Sequence, residues 1–337
     1  MLKEALLYEK LEENRVSCHL CSHRCRIGAG RFGVCSVREN RGGTLYTHVY
    51  GGLIAQNVDP IEKKPLYHFL PGSTSYSIAT VGCNFKCDFC QNWQISQVAE
   101  VERLGMRARQ VKPEDVVRQA KATGSASISY TYTEPTIYFE FAYDCAKAAK
   151  QEGLYNVFVT NGYMTREMLE MIRPCLDAAN VDLKAYSDDF YKRLCKARLQ
   201  PVLENIRTMK EMGIWIEVTT LVVPGQNDSE TELKGIAAYL ASVDVSIPWH
   251  ISRFHPQYRM DHLEPTPMKI LNRAYEIGRE AGLRYVYLGN VAGKHNHTYC
   301  YHCGNLLIER AGFSVSKHQT EGDRCPKCGT VQDGVRL

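Results

Sequence analysis

The sequence predicts an α/β protein: a partial or full (β/α) TIM-like barrel with a small cysteine-rich metal module at each end. Three observations lead there. From Ser75 onward, short β-branched or apolar runs alternate with longer amphipathic stretches. Such alternation calls for a parallel sheet covered by helices, and the number of units favours a barrel. Residues 1–42 and 296–337 lack that pattern and hold clustered cysteines instead. Finally, 337 residues can enclose one core of barrel size with small satellite modules attached.

Taken in order, residues 1–42 carry four cysteines among Gly, Arg and His, a composition suited to a metal-folded knob. Residues 43–71 read as short strands and turns, since the neighbours Gly51 and Gly52 are costly deep inside a helix. The barrel spans 43–295, with strands expected at 76–80, 125–130, 156–160, 180–183, 215–222, 249–252 and 284–288. Between them lie expected helices at 112–122, 136–152, 165–176, 189–196, 201–212, 229–241 and 267–281. Thr136, Thr165 and Ser229 are the N-cap type of residue that opens such helices. From Asn296 the alternation stops, and 296–337 reads as a separate zinc-ribbon-like module.

Composition narrows the function. Hydrophobic residues make up 44% and charged residues 23%, an ordinary soluble balance, and a formal charge of +4 does not by itself imply a nucleic-acid partner. No signal peptide and no membrane-spanning run is evident, so the expected compartment is the cytoplasm, where thiols stay reduced. A disulfide framework is therefore the wrong expectation for 14 cysteines. Most fall into three tight sets, and clustering of that kind is what metal ligation demands.

The central set lies in the segment VGCNFKCDFCQNW, directly after the first barrel strand: Cys83, Cys87 and Cys90 in a Cys-x3-Cys-x2-Cys spacing. A loop at the C-terminal end of a barrel strand is where such folds place their active sites. Three thiolates are one short of the four that an electron-carrying 4Fe–4S cluster has, which leaves one iron open. The alternatives are a zinc site completed by an unidentified His, or unligated core cysteines. Structural zinc prefers two spaced pairs of ligands.

With Phe89 as its aromatic, the segment resembles the Cys-x3-Cys-x-aromatic-Cys motif of the radical S-adenosylmethionine (SAM) superfamily. The resemblance implies a 4Fe–4S cluster on the three cysteines whose open iron chelates SAM. Reductive cleavage of SAM then gives methionine and a 5′-deoxyadenosyl radical that abstracts hydrogen from a substrate. It also implies oxygen sensitivity and a protein reductant such as flavodoxin or ferredoxin. SYTYTEPT at the second strand end is similar to the family's Gly-Gly-Glu-Pro stretch. Glu134 and Pro135 match, and residues 131–133 depart from the glycines. VFVTNGYM places Asn161 and Gly162, and VDLKAY places Asp182 and Lys184, at the next two strand ends. These resemble SAM-binding edges of glycyl-radical-enzyme activases. Alternate strand residues point the same way, so Asp182 and Lys184 can converge on one charged group or simply pair at the rim.

TTLVVPGQNDS and WHISRFHP likewise look like the fifth and sixth strand ends of these activases, with His255 near the substrate opening. Nearly the whole chain is similar to the radical SAM component of the AmmeMemoRadiSam system, related to pyruvate formate-lyase activating enzymes. The blocks that carry this are DLKAYSDDFYKRLCKARLQPVLENI, PWHISRFHP, YVYLGNV and the two flanking cysteine sets. That resemblance implies association with an AMMECR1-like and a Memo-like protein. Catalytic residues are not identified by it; His255 and Cys195 are the candidates, Cys195 otherwise reading as a small buried residue. Cys145 and Cys175 sit in apolar helical patterns and read as core.

In the tail, Cys300, Cys303, Cys325 and Cys328 form two Cys-x-x-Cys knuckles, the spacing of a structural zinc ribbon, with an iron–sulfur cluster as the alternative. Cys18, Cys21, Cys25 and Cys35 are spaced less symmetrically, with His19 and His23 as spare ligands. Structural zinc, slightly favoured, or an auxiliary iron–sulfur cluster both fit. Three functions follow in order. The first is hydrogen abstraction from a macromolecule, a protein or an RNA, without a membrane partner. The second is the same chemistry on a small acidic metabolite gripped by Lys184, Arg253 and His255. The third is a non-catalytic zinc-binding adaptor.

Overall fold

The parallel strands are short apolar runs buried on both faces, as a sheet covered by helices requires. Ile78, Ile128, Phe158, Val181, Val218 and Ile251 lie at their centres, all fully buried. The structure, a computed structural model, describes residues 1–103 and 105–337. Its large sheet has nine strands in the order Val286–Gly289, Trp249–Arg253, Trp215–Val222, Ala178–Asp182, Tyr155–Thr160, Ser127–Tyr130, Thr74–Thr80, Gly52–Pro60 and Arg109–Gln110. The first seven are mutually parallel. Gly52–Pro60 runs antiparallel beside Thr74–Thr80 and in turn pairs with Arg109–Gln110. Among the described residues no pairing joins the two outer edges, so of the two options the barrel is the partial one.

All seven expected strands are present, and 43–71 holds one short strand, Thr44–Thr47, as expected, together with a long one, Gly52–Pro60, that was not. Its outer face is half exposed, so its sequence does not show the continuous apolar run of its neighbours. The helices Pro113–Ala122, Phe139–Gln151, Arg166–Ile172, Gln200–Glu211, Glu230–Val243 and Met268–Glu280 supply the other apolar faces. Thr165 and Ser229 do cap their helices, accepting the Met168 and Glu232 N–H groups. Thr136 does not. The cap there is Glu134, because Pro135 takes the first position of a 3-10 turn over Pro135–Tyr138. The helix expected at 189–196 is instead a short α-turn, Asp188–Phe190, followed by a π-type turn, Tyr191–Cys195.

Two antiparallel three-stranded sheets form the N-terminal region. One contains the hairpin Arg38–Arg41 with Thr44–Thr47, which runs across the expected boundary at residue 42 through Gly42 and Gly43, both at positive φ. A third small sheet, Thr298–Tyr299, Leu306–Ala311 and Ser314–His318, carries the C-terminal cysteines. Buried Arg310 fixes it to the barrel, donating to the Tyr67 carbonyl at 2.7 Å and facing buried Glu62 at 3.6 Å. Asp333 accepts from Arg284 and from Tyr285, next to the start of the last parallel strand. Glu217, near the start of its own strand, accepts the Tyr67 and His68 N–H groups. The C-terminal module therefore docks where the parallel strands begin, at the end of the barrel opposite the Cys83–Cys90 loop.

Candidate active site

After Thr74–Thr80 the chain must turn at Gly82, where φ is +104°. A Cβ there would stand 2.7 Å from Val37 Cγ1 and 3.3 Å from the Cys35 carbonyl, so glycine alone fits against the N-terminal region. The loop then presents Cys83, Cys87 and Cys90. Its backbone is held from behind: the Lys86 and Asp88 N–H groups donate to the Cys195 and Leu194 carbonyls, both at 3.0 Å. The π-type turn thus has a definite task, and Lys196 ends it in the left-handed region at φ +57°. Cys195 itself is fully buried behind Cys87 and does not line the cavity.

Cys83 Sγ accepts the Phe85 N–H at 3.3 Å, and Cys90 Sγ lies 3.2 Å from Ser96 Oγ. Burial pushes the Cys83 and Cys90 thiols up; for Cys87 the neighbouring Cys195 thiol does so first, then burial. As free thiols the three would hold their protons, and a bound metal is what would release them. They open into a cavity of about 480 Å³ walled by strand ends.

At the second strand end, Tyr132 adopts φ +62°, a backbone conformation that favours glycine. Tyr132 is held there by its hydroxyl bonds to Asn57 and Asp59 and by Asn92 Nδ2, which donates to its carbonyl at 2.8 Å. Glu134 is buried and organises its neighbours: its carboxylate accepts from Thr136 N–H, Thr160 Oγ1 at 2.7 Å and Asn161 N–H at 2.8 Å. Asn161 carries that order to the cysteine loop, donating to Asn84 Oδ1 at 2.7 Å with Cys83 Sγ at 3.9 Å. Lys184 pairs with Asp182 at 2.9 Å beneath the Phe89 ring. Burial opposes its charge, but the neighbouring Asp182 carboxylate holds its pKa well above the usual lysine value.

Phe89, Glu134, Asn161, Asp182 and Lys184 therefore line one cavity with the three cysteines. Gly162 does not. It is at φ +70°, and a Cβ there would meet Val181 Cγ1 at 2.8 Å, so its smallness serves packing. Arg253 turns to the Thr266 carbonyl and His255 lies exposed on the rim; neither lines the cavity. The expected grip of Lys184, Arg253 and His255 on one acid is not assembled. The sequence reading missed Thr219, Ser252 and Asn290, which also line the cavity. Their signal was a polar residue at the C-terminal half of each strand or just past it. Thr219 Oγ1 is buried without a hydrogen-bond partner.

Cys300, Cys303, Cys325 and Cys328 converge in the tail, with all four sulfurs within 4.8 Å of one another. They form the one such group among the described residues and could hold a metal ion. Cys145 and Cys175 are core residues, as expected. His23 meets the Asn84 carbonyl through Nε2 at 2.8 Å and also lines the pocket of the N-terminal cysteines.

An open parallel α/β barrel whose first strand-end loop presents three thiols to a cavity defines a class of iron–sulfur enzyme. Known proteins of that class match this chain. The family model described as "Radical SAM superfamily" matches residues 77–233. An uncharacterised protein of Methanocaldococcus jannaschii is 45% identical over 338 residues, 99% of this chain and 100% of that one. Pyruvate formate-lyase 1-activating enzyme of Escherichia coli is 20% identical over 222 residues, 61% of this chain and 89% of that one. Among solved structures, a radical SAM methyltransferase from Sphaerobacter thermophilus shares the fold, with a TM-score of 0.51 and 17% identity over 71% of each chain. The chain belongs to the radical SAM superfamily and is related to its activating enzymes.

That family implies a 4Fe–4S cluster and SAM, and the residues present fit both. The Cys83, Cys87 and Cys90 sulfurs are spread more widely than the tail set, as ligands to separate irons must be. The adjoining cavity offers an unpartnered hydroxyl at Thr219 and a charged pair at Asp182 and Lys184 to a zwitterionic ligand. When bound, the two groups supply one-electron cleavage of SAM. This chain's residues contribute position: Glu134 and Asn161 lock two strand ends to the loop, and Phe89 covers Lys184.

Proposed function

We propose that the chain cleaves SAM reductively at a cluster held by Cys83, Cys87 and Cys90 and abstracts hydrogen from a macromolecular substrate, a protein or an RNA. The observation that carries the reading is the joint placement of the three thiols and the unpartnered Thr219 hydroxyl around one cavity. Against a small acidic metabolite stands the charge balance of that cavity. Every described lysine lining it is already paired, Lys63 and Lys64 with Asp59 and Lys184 with Asp182. The open sheet edge supports access by a loop of a larger substrate.

In this reading the electron comes from a flavodoxin- or ferredoxin-type donor, and the AMMECR1-like and Memo-like proteins are partners. No described helix is long and apolar enough to cross a membrane, which is compatible with a cytoplasmic setting. The tail site takes zinc. Zn–S bonds of about 2.3 Å in a tetrahedron put sulfurs about 3.8 Å apart, and the Cys300–Cys328 and Cys303–Cys325 separations are both 3.7 Å. Its position at the base of the barrel makes it a folding staple.

The test is 5′-deoxyadenosine formation by anaerobic, dithionite-reduced protein with SAM, with and without candidate substrates. Acceleration by an AMMECR1-like or Memo-like protein or by RNA is expected. Acceleration by small carboxylic acids alone would overturn the macromolecular reading.

A further inference from the structure

The N-terminal cysteines, Cys18 at the end of the strand Val16–Cys18 and Cys21, Cys25 and Cys35 on the turns that follow, line one pocket with Leu20, His23, Val34, Ile137 and Arg38. Unlike the tail set, no three of them stand within 4.8 Å of one another. The Cys83, Cys87 and Cys90 set shares that wider spread, so by spacing the N-terminal four group with the cluster site and not with the single-ion site. One tetrahedral zinc would draw its sulfurs to about 3.8 Å, whereas a cubane distributes its thiolates over four irons.

A second observation points to an anionic occupant. Arg38 is buried in the pocket wall, with Nη1 on Cys18 Sγ at 3.5 Å and on the Leu6 carbonyl at 3.1 Å. Its other terminal nitrogen pairs with one oxygen of buried Glu140, while Nε and the second Glu140 oxygen, Oε2, are each left without a hydrogen-bond partner. A buried guanidinium with an unused N–H beside four cysteines suits thiolates and bridging sulfides, which accept such bonds.

The pocket is also adjacent to the SAM-cluster loop. The Cys35 carbonyl packs on Gly82, whose neighbour is Cys83. His23 meets the Asn84 carbonyl, and the Ser22 N–H donates to the Tyr163 carbonyl at 2.9 Å. Ile137 lines this pocket three residues after Glu134, which lines the other.

We propose that Cys18, Cys21, Cys25 and Cys35 hold a second 4Fe–4S cluster, fully ligated by cysteine and placed directly behind the SAM-binding loop. With no open iron it carries a single electron: an iron–sulfur or flavin donor is oxidised by one electron as this cluster is reduced, and the electron passes on to the cluster at Cys83. The site itself rests on its own four cysteines; only its relay role depends on the SAM reading above.

The test is metal content after anaerobic iron and sulfide reconstitution, in the wild-type chain and in a chain carrying Cys83→Ala, Cys87→Ala and Cys90→Ala. The wild type should hold about eight irons and take up about two electrons on reductive titration. The triple variant should keep about four irons, with a reduced-cluster electron paramagnetic resonance signal that SAM leaves unchanged. Retained zinc at the tail reports that the variant has folded. About four irons in the wild type, or zinc and no iron in the folded variant, would overturn the proposal. Loss of SAM cleavage alone, with eight irons present, would sink the enzyme reading and leave this site standing.

Discussion

At the scale of single residues, His68 joins barrel and tail: one ring nitrogen meets the Asp333 carbonyl at 2.7 Å and the other the Tyr287 hydroxyl at 2.6 Å. Burial lowers its pKa from 6.5 to about 4, against the pull of nearby Glu217. The unfolded chain therefore takes up this proton first as pH falls from 6.5 towards 4. Stability is lost over that window, by up to about 1.4 kcal/mol per pH unit. Melting curves should drop more steeply there for the wild type than for His68→Gln; equal slopes would show that His68 does not titrate this way. Tyr132 offers a second check. Tyr132→Phe removes its bond to the Asp59 carboxylate, which also keeps two lysines paired, and should cost about 2 kcal/mol in urea unfolding. A cost near zero would mean that the bond does not hold the strained turn.

At the scale of elements, the strand-end loops are fixed by contacts that the sequence announces unevenly. The alternation of apolar runs made the seven parallel strands legible, because a strand buried on both faces has little freedom in composition. Cys83, Cys87 and Cys90 were legible because ligand spacing is a local property. The fate of 189–196 was not: DFYKRLCK has ordinary helical character, and only the hydrogen bonds that Lys86 and Asp88 donate to the Cys195 and Leu194 carbonyls show what its widening into a π-type turn serves. Gly162 is placed outside the cavity lining for a related reason. A glycine at a strand end reads equally as a ligand contact or as a packing need, and Val181 decides for packing. Gly162→Ala should accordingly cost about 2–4 kcal/mol, from left-handed strain plus overpacking. Urea unfolding showing less than about 1 kcal/mol of loss would contradict that account.

At the scale of the whole molecule, three cysteine sets occupy three places: behind the loop, on the loop, and at the base of the barrel. Their separation was visible in the sequence, but their arrangement depends on long-range pairs such as Arg310 with Glu62, which no local pattern reveals. With zinc in the tail site, as proposed, a chelator that strips it should lower the melting temperature and leave the iron content of the Cys83–Cys90 loop unchanged. Parallel loss of both would mean that the tail controls the cluster site.

The measurement that bears most directly on the central claim is SAM cleavage by anaerobically reconstituted protein, comparing the wild type with Cys87→Ala. The wild type, reduced with dithionite, should convert SAM to methionine and 5′-deoxyadenosine. Cys87→Ala should lose that activity to background while folding normally. No 5′-deoxyadenosine from a wild type that holds its irons, or equal yields from the two proteins, would contradict the account.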